Sequence, residues 1–168
     1  MKRVILSFTA LIYVSFSTQS YAEDTATATI AVSANIQASC SIITTAMQFG
    51  SYDPTDTEAL VATATVTSTC TAGASGDITM GEGINSVGSG SLDNPARRMV
   101  DESGDNHLSY QIYTDSALSA VWGNMPSSGV SYTGTGTPLT TTAYGRVPAL
   151  QSVSQGTFSD SIQVEINF

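Results

Sequence analysis

The run TATATIAVSANIQASC, residues 25–40, alternates with period two over its whole length. Ala26, Ala28, Ile30, Val32, Ala34, Ile36, Ala38 and Cys40 fall on one side. Thr25, Thr27, Thr29, Ser33, Asn35, Gln37 and Ser39 fall on the other, and only Ala31 breaks the polar set. Side chains of a strand point alternately to opposite faces, so this pattern predicts a long strand with one apolar face. Such a face, at the front of a chain, requires a cover, because an exposed apolar strand invites pairing.

The same period recurs downstream. ALVATATVTSTC (59–70) sets Leu60, Ala62, Ala64 and Val66 on one side, and HLSYQIYTD (107–115) does so with Leu108, Tyr110 and Ile112. DSIQVEINF (160–168) ends on Ile162, Val164, Ile166 and Phe168, and GDITM reads as a short strand after a Gly/Ser turn. The segments TAGASG, GEGINSVGSGS, SSGVSYTGTGTP and VSQG carry turn chemistry. No stretch beyond residue 22 has a convincing helical period. Short strands rich in Thr, Val, Ile and Tyr between Gly-rich turns predict an all-β chain, a β-sandwich. No internal repeat or linker divides it.

Lys2 and Arg3, the uncharged residues 4–16 and the small residues Ser20 and Ala22 around Tyr21 read as a secretory signal peptide over residues 1–22. The apolar stretch is too short for a membrane anchor, which needs about 20 residues. The mature chain is expected to begin at Glu23 and to form one domain. Beyond the leader remain Arg97, Arg98 and Arg146 against fourteen acids and no lysine, a formal charge of −11. That excludes the clustered cations needed for nucleic-acid phosphates or anionic lipid.

Cys40 and Cys70 are the only cysteines. In an oxidising compartment they are expected to pair, closing a loop worth about 3–4 kcal/mol in the chain-entropy picture. A metal or redox site is the alternative, with neither Cys-x-x-Cys nor a nearby histidine to support it. Catalytic chemistry finds little footing. His107 is the single histidine, no Gly-x-Ser-x-Gly elbow occurs, and GEGINSVG lacks the following helix and lysine of a phosphate loop. Asp53, Asp56 and Glu58 in YDPTDTE offer oxygens to calcium but lack the EF-hand spacing, so they read as a solvated turn. Arg97-Arg98 reads as a surface pair making ion pairs with neighbouring acids.

The tail YGRVPALQSVSQGTFSDSIQVEINF (144–168) resembles the C-terminal motif of the spore coat protein U family, which includes pilin subunits of archaic chaperone–usher pili. The matching positions are Tyr144, Gly145, Arg146, Val147 and Pro148, then Gly156, Phe158 and Asp160, then the closing strand. FGSYDP (49–54) resembles the family's segment after its first cysteine, and LSYQIYTDSALSAVWG (108–123) its central strand and following Trp-Gly. Phe158 stands where tyrosine is common.

The resemblance implies an incomplete immunoglobulin-like sandwich, completed by donor-strand complementation. Residues 23–38 then form a donor extension bearing Ala26, Ala28, Ile30, Val32, Ala34 and Ile36, and residues 39–168 the pilin domain. The closing strand, Ile162 to Phe168, is the edge that pairs with the incoming strand. Implied partners are other copies or related pilins, a periplasmic chaperone and an outer-membrane usher, with no cofactor, nucleic acid or small-molecule substrate. The implied function is a pilus subunit exported through the periplasm to the cell surface, serving adhesion and biofilm formation. A self-complemented coat protein is the alternative. A secreted enzyme or ligand binder on the same sandwich would need a site that the sequence does not display.

Overall fold

The computed structural model describes residues 15–20 and 23–168; most of the expected leader lies outside them. The chain divides into two units, Met1–Asn35 and Ile36–Phe168. The described part of the first holds no helix or strand, and residues 23–35 are exposed throughout. The long strand expected over residues 25–40 is therefore not formed as such, because the ladder starts only at Cys40. A strand is held by hydrogen bonds to a neighbour, and residues 23–38 have no ladder partner, whereas the Ser39 carbonyl already accepts from the Thr71 amide at 2.9 Å. Ile30 and Val32 are left 85% and 90% exposed, and Ile36, at the start of the second unit, 84%.

The second unit contains eight strands: β1 (Cys40–Thr44), β2 (Leu60–Cys70), β3 (Ser75–Met80), β4 (Arg97–Val100), β5 (His107–Tyr113), β6 (Val130–Thr133), β7 (Leu139–Val147) and β8 (Val164–Asn167). They form two sheets, ordered β1-β2-β7-β5-β4 and β6-β3-β8. Every pairing is antiparallel. Val66, Leu108, Ile112, Ala143 and Val147 from the first sheet meet Ile78, Met80 and Tyr132 from the second in one core. Trp122 is completely buried among them, and its indole N–H donates to the Ile78 carbonyl at 2.8 Å. The ring thus buries its area and satisfies its one polar atom.

Alternation worked where the inner residues are large. In β5, Leu108, Tyr110 and Ile112 are all buried while His107 and Ser109 are exposed. In β2 the predicted face points inward, with Val66 1% exposed. Cys40 and Cys70 sit directly opposite in the β1–β2 register and are joined by a disulfide. The VSYT segment, read as turn, is strand β6, and the closing strand is shorter than its pattern, with Phe168 outside the ladder and 60% exposed.

One expectation is overturned outright. Arg97 makes no surface ion pair. It is 2% exposed, and its guanidinium donates to the carbonyls of Met80, Gly81 and Trp122 at 2.7–2.9 Å and to the Gln111 side-chain oxygen at 2.6 Å. Its fork of donors ties the end of β3 to β5 and to the Trp122 segment, a role only a multi-donor planar group fills. Burial lowers its pKa to about 10, still far above neutrality, so the cation persists. Arg98 likewise bonds a neutral oxygen, the Asn85 carbonyl.

Candidate functional site

The sandwich is open along one side. β1 pairs only with β2, and β8 only with β3, so both are sheet edges. Between them lies a cleft of about 460 Å³, walled by residues 44–49 after β1 and by Phe158, Ser159, Asp160, Ile162 and Val164 leading into β8. Its floor is Ala64, Val66, Met80, Tyr110, Ile112 and Ala143. A second cleft of about 620 Å³ adjoins it through Met47, Gln48, Phe49, Met99 and Phe158 and continues past Leu60, Leu108 and Val147. Together they make a continuous trough over the core, with an apolar floor and walls of mixed polarity.

The two walls run in opposite directions. At one end the Tyr132 hydroxyl lies 3.4 Å from both Cys40 Sγ and the Asn167 carbonyl oxygen, which it donates to. At the other, residues 44–49 face residues 158–162. The β8 wall uses one row of its backbone groups inward: the carbonyls of Ser159, Ser161 and Gln163 accept from the amides of Val100, Ile84 and Gly81, and the ladder to β3 follows. Backbone groups alternate in direction along a strand, so those of Ile162, Val164 and Ile166 point to the open side. Their side chains meanwhile turn toward the core, each half-buried. The wall is thus a hydrogen-bonding edge beside a trough with an apolar floor, which suits the addition of a strand.

Polar bonds fix this wall. The Tyr110 hydroxyl donates to Asp160 Oδ2 at 2.6 Å, and Asp160 Oδ1 accepts from the Asn85 side-chain amide at 3.0 Å. Burial, reinforced by the Asp160 carboxylate, pushes the Tyr110 phenol well above its ordinary value, keeping it a donor. Phe49 packs edge-on against Tyr110, with ring centroids 6.1 Å apart. Gly145 makes room on the opposite side, since a Cβ there would overlap Met47 Sδ and crowd the Phe49 ring.

The motif residues do not converge on one point. Gly145 lies buried beneath Met47 and Phe49 of the trough wall, whereas Tyr144 and Arg146 alternate with it along β7 and Arg146 is exposed. The Pro148 carbonyl accepts from the Tyr52 hydroxyl at 2.9 Å, and Gly156 lies exposed in the loop before Phe158. His107 is exposed at the start of β5. Asp53 and Asp56 cap their own turn through Thr55 and Glu58. Among the described residues, no group of three or more His, Cys, Asp or Glu is arranged to hold a metal. The trough's methionines, Met47, Met80 and Met99, carry no sequence motif and were not foreseen.

Residues 26–165 match the family model described as Spore Coat Protein U domain. A curated relative, Protein U of Myxococcus xanthus, is 33% identical over 153 residues, covering 86% of each chain. Among solved structures, the fold matches a chain of the CsuC–CsuE chaperone–tip adhesion subunit pre-assembly complex from archaic chaperone-usher Csu pili of Acinetobacter baumannii. That match has a TM-score of 0.57 at 17% identity and covers 79% of this chain but only 40% of the solved one. The likeness is one of fold, an immunoglobulin-like sandwich.

Proposed function

The chain belongs to the Spore Coat Protein U domain family, and from that premise we propose that it is a pilus subunit which polymerises by exchange of its N-terminal strand. At the coarser level it is a coat- or pilus-type structural protein and not an enzyme. In the proposed fibre, residues 25–36 of one copy lie in the trough of the next, with Ala26, Ala28, Ile30, Val32, Ala34 and Ile36 facing inward. A periplasmic chaperone lends a strand to the same trough beforehand, and an outer-membrane usher hosts the exchange. The leader at residues 1–22 directs export, residues 23–38 are the donor extension and residues 39–168 the pilin domain. Cell-surface display serves adhesion and biofilm growth.

The observation that carries this reading is the open trough between β1 and β8, in a chain whose own alternating segment has no ladder partner. Apolar burial of Ile30, Val32 and Ile36 contributes about 1.5–3 kcal/mol each, beside the ladder bonds. Chain connectivity favours a second copy as donor. The walls are antiparallel, and residue 39 joins Cys40 at the Asn167 end. An extension lying antiparallel to β8 ends at the far, Phe158 end. Residues 36–39 reach at most about 14 Å, whereas ten residues of strand span about 33 Å. A chain's own extension therefore fits its trough only by hairpin return, parallel to β8. That hairpin is the self-complemented coat protein, the second reading.

The test is a gel of unheated exported protein. Wild type gives a ladder of oligomers, and Thr29→Asp, on the polar side, retains it. Ile30→Asp loses it, because a carboxylate is forced into an apolar site. A full ladder from Ile30→Asp refutes the donor assignment, and a wild-type protein that stays monomeric favours the coat reading. Electron micrographs of cells with and without the protein then look for the fibre.

A further inference from the structure

The chain has four methionines beyond residue 1, and three of them line the trough. They come from unconnected places: Met47 from the β1–β2 connection, Met80 from the end of β3 and Met99 from β4. Met80 is 4% exposed and anchors the floor, while Met47 and Met99 are half-buried and border both clefts. Met47 packs its sulfur directly onto Gly145, a place that a Cβ would deny it. Methionine is unbranched and polarizable, with three rotatable bonds, and fills irregular gaps without a fixed shape. A β-branched residue in its place has little freedom at χ1.

The strand proposed to enter is uneven. Its inward set runs from Ala26, Ala28 and Ala34 to Ile30, Val32 and Ile36, so small and large side chains follow one another. A rigid trough would match one such profile and reject others. We infer that Met47, Met80 and Met99 make the trough an adaptable acceptor, which takes apolar strands of differing inward profile with similar affinity. The inference rests on the strand-exchange reading above and adds the residues that set its tolerance. The occupant remains the extension of a second copy, and tolerance is what lets the same trough exchange one strand for another without reshaping its walls.

The test uses the mature, disulfide-bonded chain and fluorescein-labelled peptides of residues 24–38, followed by anisotropy. The peptides are wild type, Ile30→Val, Ile30→Phe and Val32→Leu. With wild-type protein, all four are expected to bind within about fivefold of one another. With Met47→Ile/Met99→Ile protein, the wild-type peptide is expected to bind, and the spread across the four to exceed about twentyfold. Met47→Leu/Met99→Leu, a volume-conserving change, is expected to give an intermediate spread, and it serves alone if the isoleucine variant fails to fold by circular dichroism. An unchanged spread in the substituted proteins overturns the inference while leaving strand exchange intact. Failure of every peptide to bind wild-type protein overturns the strand-exchange reading and this inference with it.

Discussion

Tyr110 and Asp160, fifty residues apart, are joined by a 2.6 Å hydrogen bond that crosses from strand β5 to the wall of the trough. The tyrosine is a core residue, 7% exposed, and the carboxylate belongs to a segment whose next residues supply the free edge. The bond makes the placement of that edge depend on the core. It also explains a chemical need at the motif position: an acceptor is required there, and Asn85 supplies further donors to the same carboxylate.

Tyr110→Phe keeps the ring and its packing on Phe49 but removes the donor. A hydrogen bond to a charged group is worth about 1.5–3 kcal/mol, so urea denaturation should show a loss of that order. Phe158→Tyr leaves this bond untouched and should not produce it.

Arg97→Lys is expected to destabilise the domain by about 2–4 kcal/mol, although charge is retained. A lysine ammonium has no planar fork, so part of the set of buried carbonyls of Met80, Gly81 and Trp122 loses its donor, at about 1–3 kcal/mol per unsatisfied group. Thermal unfolding measures this. A melting temperature equal to wild type would show that the three carbonyls find other partners.

Both arginine and carboxylate show what the sequence could and could not reveal. Strands β2 and β5 were legible because their inward residues are large and alternate with polar ones. Strand β7 was not, because its inner face is Ala143, Gly145 and Val147: small residues are needed beneath Met47 and Phe49, and they carry no periodic signal. Arg97 looked like surface because charge is normally solvated. Only the tertiary fold reveals carbonyls converging on its side chain. The extension and the closing strand were legible as alternating faces, yet whether a face forms a ladder depends on a neighbour that no single sequence displays.

Acid should loosen the turn after β4. The Asn106 side-chain amide, with help from Ser103 and the Gly104 and Asn106 amides, holds the Asp101 pKa down to about 2 from an ordinary 3.8. A depressed carboxylate pKa means the folded turn binds the proton less readily than the unfolded chain. Its stabilisation is present above about pH 4 and is lost as pH falls toward 2. Amide exchange at Gly104 and Asn106 should accelerate through that window beyond the intrinsic pH trend. In Asp101→Ala the turn should be open already at pH 6, and the acid step should disappear.

Two glycines separate damage to the trough's edge from damage to its lining. The atoms nearest a Cβ at Gly145 belong to the side chains of Met47 and Phe49, and the methionine end can yield. Gly145→Ala should therefore cost about 1–3 kcal/mol at most, read by urea denaturation, with β8 still paired. At Gly76 the obstacle is backbone: a Cβ would overlap the Asn167 carbonyl and lie 3.2 Å from Phe168 Cα. Backbone can yield only by moving the chain end, so Gly76→Ala should break the last rung, Asp77 with Asn167, while leaving Ile78 with Ile166. Amide exchange should speed up at Asn167 and not at Thr79. Because the edge of β8 pairs with the incoming strand in the proposed fibre, Gly76→Ala should also shorten the ladder of oligomers, even at a stability where Gly145→Ala assembles normally. If both variants assemble as wild type does, the Asn167 end of β8 takes no part in the joint, and the trough is engaged from the Phe158 end alone.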